Sequence, residues 1–163
     1  MKINKHNLAT MVWQDPACFI AFGFGSGLLP KAPGTWGTLA ALPVYLLIAP
    51  YSITIYLIIT LILFLLGVWV CDNASTKLGV HDYKGIVWDE VVGYLITMTT
   101  VPVGIGWMLA GFILFRLFDI VKPFPISIID KRIKGGFGIM LDDLVAGVFA
   151  GFILQLFYWM FAS

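Results

Sequence analysis

Residues 53–71, ITIYLIITLILFLLGVWVC, run without a single Lys, Arg, Asp or Glu. A helix over that stretch is long enough to cross a hydrocarbon core of about 30 Å. Residues 144–162 repeat the pattern. Such runs constrain the fold strongly, because backbone N–H and C=O groups in lipid must be satisfied within the segment, which leaves helices or closed barrels. Three shorter apolar runs lie at 36–50, 87–103 and 105–121. The first contains Pro43, and the other two are divided by the turn signal Pro102-Val-Gly-Ile-Gly106. Each reads as a tilted span that thins the bilayer or as a hairpin that enters and returns. Ala17 to Leu29, with three glycines, reads as an interfacial or re-entrant element.

The chain is 60% hydrophobic and 12% charged, against about 45–50% and 25% in a soluble domain. The expected architecture is therefore all-α: an integral membrane bundle of about four to five spanning or partly spanning helices, with Gly-rich loops on the cytoplasmic side. Residues 1–163 are expected to form one domain. The net charge of +1 leaves no electrostatic footprint for nucleic acid. Cys18 and Cys71 are too few for a disulfide framework, and Cys71, ending an apolar run, reads as a small hydrophobe. The N-terminus lacks the apolar segment and small-residue site of a cleaved signal peptide. Asn73-Ala-Ser75 fits a glycosylation pattern but falls on a segment expected to face the cytoplasm.

The charges are one-sided. All ten Lys and Arg (Lys2, Lys5, Lys31, Lys77, Lys84, Arg116, Lys122, Lys131, Arg132, Lys134) lie before the first run, between the second and third, or between the end of the fourth and the start of the fifth. All nine acids (Asp15, Asp72, Asp82, Asp89, Glu90, Asp119, Asp130, Asp142, Asp143) share those segments. If every run crosses, the charged segments meet on one face, and the positive-inside rule makes it cytoplasmic. The turns at Pro50-Tyr-Ser, Pro102-Val-Gly and the C-terminal Ala-Ser face the other side.

Ionisable groups at membrane helix ends are expensive and default to functional candidates. Asp72 closes the second run, Asp89 and Glu90 open the third, Arg116, Asp119 and Lys122 end the fourth, and Asp142 and Asp143 open the fifth. Arg116, Asp119 and Lys122 are spaced to share one helix face. Dipole-complementing caps and snorkelling bases account for one such acid, but not for two adjacent acidic pairs with an Arg beside them. Carboxylates converging at one depth make an oxygen-rich site suited to Mg²⁺, and a planar guanidinium beside it grips phosphate oxygens.

Two Gly-rich segments add backbone N–H groups that approach anions closely. Phe22-Gly-Phe-Gly-Ser-Gly-Leu-Leu-Pro-Lys-Ala-Pro-Gly-Thr-Trp-Gly-Thr38 carries Lys31, Gly34 and Thr35. It lacks the spacing of a nucleotide triphosphate loop. The second, Gly135-Gly-Phe-Gly, leads into Asp142-Asp143. Gly147-x-x-x-Gly151 permits close helix approach, expected within one protomer. Lys131, Arg132 and Lys134 form a basic run suited to anionic headgroups. Asp15 reads as a cap and Asp130 as a loop charge.

Four blocks, FGSGLLPKAPGTWGT (24–38), HDYKGIVWDEVVGY (81–94), FRLFDIVKPFPI (115–126) and GGFGIMLDDLVAG (135–147), in this order and spacing, resemble the phosphatidylglycerophosphatase A family of bacterial membrane lipid phosphatases. The clearest local departure is the bulky pair Tyr83-Lys84 after Asp82. The resemblance implies hydrolysis of the phosphate monoester of phosphatidylglycerol phosphate, with Mg²⁺ required, in the bacterial inner membrane. By position, Asp89, Glu90, Asp142 and Asp143 match the family's acidic pairs. Lys31, Thr35, Arg116, Asp119, Lys122, His81 and Asp82 match its other polar positions.

Chemistry then suggests roles. Neither His6 nor His81 sits in a histidine-nucleophile phosphatase pattern, neither cysteine precedes an Arg-ended loop, and there is no Asp-x-Asp nucleophile sequence. Metal-activated water is the leading mechanism. Asp89, Glu90, Asp142 and Asp143 are expected to supply ligands to one or two Mg²⁺ ions. Arg116, Lys122, Lys31 and the Gly34–Thr35 backbone are expected to offset phosphoryl charge. Asp119 or Asp72 is the candidate base, each with a structural alternative as holder of Arg116 or as cap. His81 is the candidate acid toward the leaving oxygen, with Asp82 beside it. A small transporter or channel with a charged cytoplasmic vestibule is the alternative from another class. It predicts charges spread through the bilayer depth.

Overall fold

The computed structural model describes residues 5–162, so Lys2 and Ser163 of the segments above lie outside the described residues. The described chain forms eight α-helices and one 3₁₀ turn, with no strand among the described residues. In chain order these are α1 (Lys5–Gln14), α2 (Pro16–Ala21), the 3₁₀ turn (Ser26–Leu28), α3 (Pro33–Ile48), α4 (Ile53–Leu78), α5 (Trp88–Thr97), α6 (Ile105–Val121), α7 (Ile126–Arg132) and α8 (Gly135–Ala162). The all-α expectation holds.

The central element is a short helix of ten residues. α5 is buried on every side, including Trp88, Val91, Val92, Tyr94, Leu95 and Thr97, and it packs against α8, α3, α4 and α6. A helix that is apolar all round must be enclosed by others. At the α-helical rise α5 is about 15 Å long, half a bilayer. The run at 87–103 is thus not a span: only residues 88–97 are helical, and the chain turns through Met98 to Gly104. α3 and α6 are about 24 and 26 Å long, and α3 continues through Pro43.

α4 and α8 are long and apolar enough to cross a membrane. α4 turns most of that surface outward, with Leu57, Ile58, Leu61, Ile62, Leu65 and Trp69 exposed. On α6, Leu109, Ile113, Leu117 and Ile120 make an exposed stripe at helical spacing, opposite the buried Gly111 and Phe115. Apolar faces of this extent are incompatible with water and match acyl chains. They make this a membrane protein in its surface as well as its composition.

Close contacts explain why the glycines and tyrosines stand where they do. A Cβ on Gly147 would strike the carbonyl of Gly93, and one on Gly151 would lie 3.1 Å from the Thr97 carbonyl. The Gly147–Gly151 spacing therefore seats α8 against α5 within the protomer. Buried hydroxyls and indoles find backbone carbonyls: Tyr56 donates to Leu95 at 2.6 Å, Tyr94 to Met108 at 3.0 Å and Trp88 to Leu63 at 3.1 Å. Their polar tips are satisfied, as buried aromatic donors must be.

Candidate active site

Three helix ends and one helix interior converge on a cavity of about 560 Å³. The N-terminus of α3 contributes Ala32, Pro33 and Gly34, and the loop before α5 gives Asp82, Lys84 and Ile86. The first turn of α5 gives Asp89 and Glu90, the C-terminal end of α6 gives Arg116, Asp119, Ile120 and Lys122, and α8 gives Asp142 and Asp143. Of the thirteen residues expected to act, Gly34, Asp82, Asp89, Glu90, Arg116, Asp119, Lys122, Asp142 and Asp143 meet here. The others do not line this cavity. Lys31 is exposed, with its carbonyl accepting from the Trp36 indole at 3.0 Å. Thr35 is half-buried on α3. His81 lines an adjacent pocket with Asp82, Asp130, Lys131 and Lys134.

Local structure corrects the sequence reading in three places. Asp72 does not close its helix: α4 runs on to Leu78 and stops at Gly79 in the left-handed conformation. Its carboxylate instead accepts from the Gly136 N–H at 2.9 Å, satisfying a donor that the start of α8 leaves free. That cap lets the second Gly-rich segment be helical, so Gly135–Gly138 is the first turn of α8 and not a loop. In consequence Asp142 and Asp143 do not open their helix but lie in its second and third turns, well below the end of the bundle.

The acids form a tight buried group. Asp89, Glu90 and Asp143 each offer a carboxylate oxygen, and these atoms lie within 4.8 Å of one another. Asp89 and Asp143 are 8% and 2% exposed. Oδ1 of Asp89, Oε2 of Glu90, Oδ1 of Asp142 and Oδ2 of Asp143 are buried with no hydrogen-bond partner. Buried carboxylates this close together with unpartnered oxygens are disfavoured as bare anions and are relieved by a bound cation or a shared proton. The donor set, oxygen only, suits a hard divalent ion.

The bases are held by the acids. Arg116 hydrogen-bonds Asp119 one turn along α6, and its Nη1 lies 3.6 Å from Oε1 of Glu90. Its Nε is buried and unpartnered. Gly34 sits against this pair: a Cβ there would lie 2.8 Å from Nη1 and 2.9 Å from Nη2 of Arg116 and would overlap Glu90. The first turn of α3, which has no side-chain cap, is thereby brought against the guanidinium.

Lys122, the residue that ends α6, is clamped at 2.6 Å by both Asp130 of α7 and Asp142 of α8. Burial works against its charge, but these two hydrogen bonds outweigh it and raise its pKa above the usual lysine value. Asp130, read as a loop charge, is therefore one of two acids that hold Lys122 where α6, α7 and α8 meet. Asp15 behaves as read, accepting from Cys18 N at 3.1 Å at the start of α2, and also pairs with Lys77. Lys84, which the sequence reading leaves outside the site, also lines this cavity, between Asp82 and the Asp89-Glu90 pair in the chain.

An all-helical, membrane-type bundle with a cavity that joins buried carboxylates to an arginine and an uncapped helix N-terminus belongs to the class of membrane-embedded enzymes that handle phosphate. The family model of phosphatidylglycerophosphatase A matches residues 19–158. A phosphatidylglycerophosphatase A of Haemophilus influenzae is 45% identical over 149 residues, covering 90% of this chain and 91% of that protein. One of Escherichia coli is 43% identical over 141 residues, covering 86% and 82%. The chain belongs to the phosphatidylglycerophosphatase A family and is an enzyme of the phosphatase class. No solved structure matches it.

Proposed function

We propose that this protein hydrolyses the terminal phosphate monoester of phosphatidylglycerol phosphate, releasing phosphatidylglycerol and inorganic phosphate at the cytoplasmic face of the bacterial inner membrane. The observation that carries this reading is the joining, in one cavity, of three carboxylates poised for a cation with Arg116 and the α3 N-terminus. The names of the two relatives supply the lipid. The one-sided placement of basic residues supplies the orientation, and residues 1–163 are read as one multi-pass domain.

Asp89, Glu90 and Asp143 would hold the metal, for which Mg²⁺ suits the all-oxygen donors, with Asp142 beside them. Bound there, a divalent cation would offset charge on the phosphoryl oxygens and lower the pKa of water. Arg116 presents its fork to equatorial oxygens, as charge-assisted pairs in a desolvated site do most strongly. The Gly34 backbone approaches the same oxygens because no side chain intervenes. Asp119 orients Arg116. Asp82 faces the cavity from its mouth and takes the proton of the attacking water. His81, which lines the adjoining pocket with Asp82, would return a proton to the glycerol oxygen as the P–O bond breaks. Asp72, engaged on Gly136, is a positioning residue, and Lys122 holds Asp142 and joins α6, α7 and α8. Lys31 and Thr35, at the exposed side of the same turn, meet the headgroup on approach.

A transporter would need polar groups through the depth of the bundle. At the opposite end the cavity between α3, α4 and α5 is lined by Tyr45, Tyr51, Tyr56, Thr99 and apolar residues, with no acid or base.

The deciding experiment is phosphate release from phosphatidylglycerol phosphate by the purified protein in mixed micelles. Release with Mg²⁺, lost after EDTA and restored by Mg²⁺, is the expected result. Full activity after metal stripping would remove the cation from the mechanism, and no release under any condition would remove the substrate.

A further inference from the structure

A second cavity, of about 490 Å³, adjoins the acidic one and shares Pro33 and Lys84 with it. It is otherwise lined chiefly by apolar side chains and backbone, notably Leu8, Leu28, Leu29, Pro30 and Tyr83. Among the described residues, Lys84 is the one charged side chain that lines both cavities. The loop that carries it is fixed from below: Gly85 lies so close to Phe22 that a Cβ would be 2.5 Å from the ring, Val87 N donates to Ala21 O at 2.9 Å, and the Tyr83 and Phe22 rings are 6.0 Å apart. Lys84 is thus carried on a closely packed loop backbone at the border between the acidic cavity and an apolar groove.

This order of chemistries, carboxylates with arginine, then one lysine, then an apolar groove, is that of a phospholipid carrying two phosphates in series. Resting on the function proposed above, we propose that the groove between Leu8, Leu28–Pro30 and Tyr83 receives the glycerol backbone and first acyl carbons of the substrate, and that Lys84 pairs with its internal phosphodiester. The terminal monoester then falls in the acidic cavity. Lys84 measures the distance between the two phosphates and is a specificity-determining residue, while the half-exposed Leu29 sets affinity for the lipid portion.

The test uses the full chain in mixed micelles with phosphatidylglycerol phosphate. Wild-type phosphate release comes first: its absence defeats the proposed function and leaves no lipid reaction for Lys84 to serve. Given release, Lys84→Ala is expected to lower kcat/KM about tenfold, with the loss carried by KM, and Lys84→Arg to recover most of it. Leu29→Glu is expected to raise KM for the diacyl substrate severalfold. It should leave unchanged the inhibition constant of the deacylated bisphosphate headgroup, which Lys84→Ala weakens. A loss of kcat without a change in KM in Lys84→Ala would move the lysine to the reacting centre and overturn the assignment. Unchanged kinetics would also overturn it, and equal weakening of lipid and headgroup by Leu29→Glu would remove the groove.

Discussion

Arg116 of α6 lies between two acids, hydrogen-bonded to Asp119 on its own helix and 3.6 Å from Glu90 on α5. The arginine is therefore placed by neighbours on two elements of the fold, and in the proposed reaction that placement would limit the reorganisation needed to meet a phosphate.

Replacing that fork by a point charge tests its geometry. Arg116→Lys keeps the positive charge but not the planar pair of donors, so kcat is expected to fall about 100-fold with little change in KM. Steady-state kinetics on the lipid substrate checks this. Wild-type kcat would show that charge alone suffices.

Gly34→Ala would drive a methyl into Arg116 and Glu90. Because the neighbours are a guanidinium and a carboxylate fixed by each other, they give way only by breaking their alignment. Activity should drop at least as far as in Arg116→Lys, while the helical circular dichroism of the bundle is retained. A near-normal turnover would mean that the α3 N-terminus stands farther from the reacting phosphate.

The cation site predicts paired effects. Asp143→Asn and Glu90→Gln each remove a charge from the three-carboxylate group, so both should abolish phosphate release and also weaken Mn²⁺ binding measured by titration calorimetry or paramagnetic broadening. Insertion into membranes should be unaffected. Lost activity with intact metal binding would reassign these acids to substrate or proton handling.

Lys122→Met leaves Asp130 and Asp142 without their cation. Since the pairing raises the lysine pKa, on the alkaline side its contribution persists up to the unfolded value of about 10.4 and is lost as pH climbs through the higher folded one. At pH 7 the variant should be destabilised by about 3 kcal/mol, as when a buried pair loses one partner. The deficit should shrink at low pH, where a protonated carboxyl no longer needs the lysine. Thermal unfolding in detergent at both pH values reads this directly.

Gly147→Val places two methyls against the Gly93 carbonyl of α5. Overpacking of this kind costs about 1–3 kcal/mol. Because Gly93 is three residues from Glu90, activity should fall together with the melting temperature. A stable but inactive variant would show that α5 shifts rather than unpacks.

Much of this protein can be read from its order of residues. Long charge-free runs require membrane helices, because lipid offers no partner to an open backbone. The pairs Asp89-Glu90 and Asp142-Asp143, with Arg116 one turn before Asp119, mark an acidic and basic centre, because uncompensated charge is not kept at such places without a use. These are properties of composition and spacing along one element, and they survive any arrangement of the others.

The tertiary structure decided what depends on contacts between elements. Sequence alone put Asp72 at a helix end and Asp142 at a helix start. The close approach of Gly136 to α4 made Asp72 a cap, lengthened α8 and carried the acids into the bundle. Lys122 and Asp130 looked like independent charges until α7 folded back to bring them within 2.6 Å. Which carboxylate oxygens gather within 4.8 Å, which acids hold Arg116 and Lys122, and that Lys84 lines the same cavity depend on distances across helices. Local periodicity does not encode those distances, because they arise only when the glycine-lined faces of α5 and α8 close.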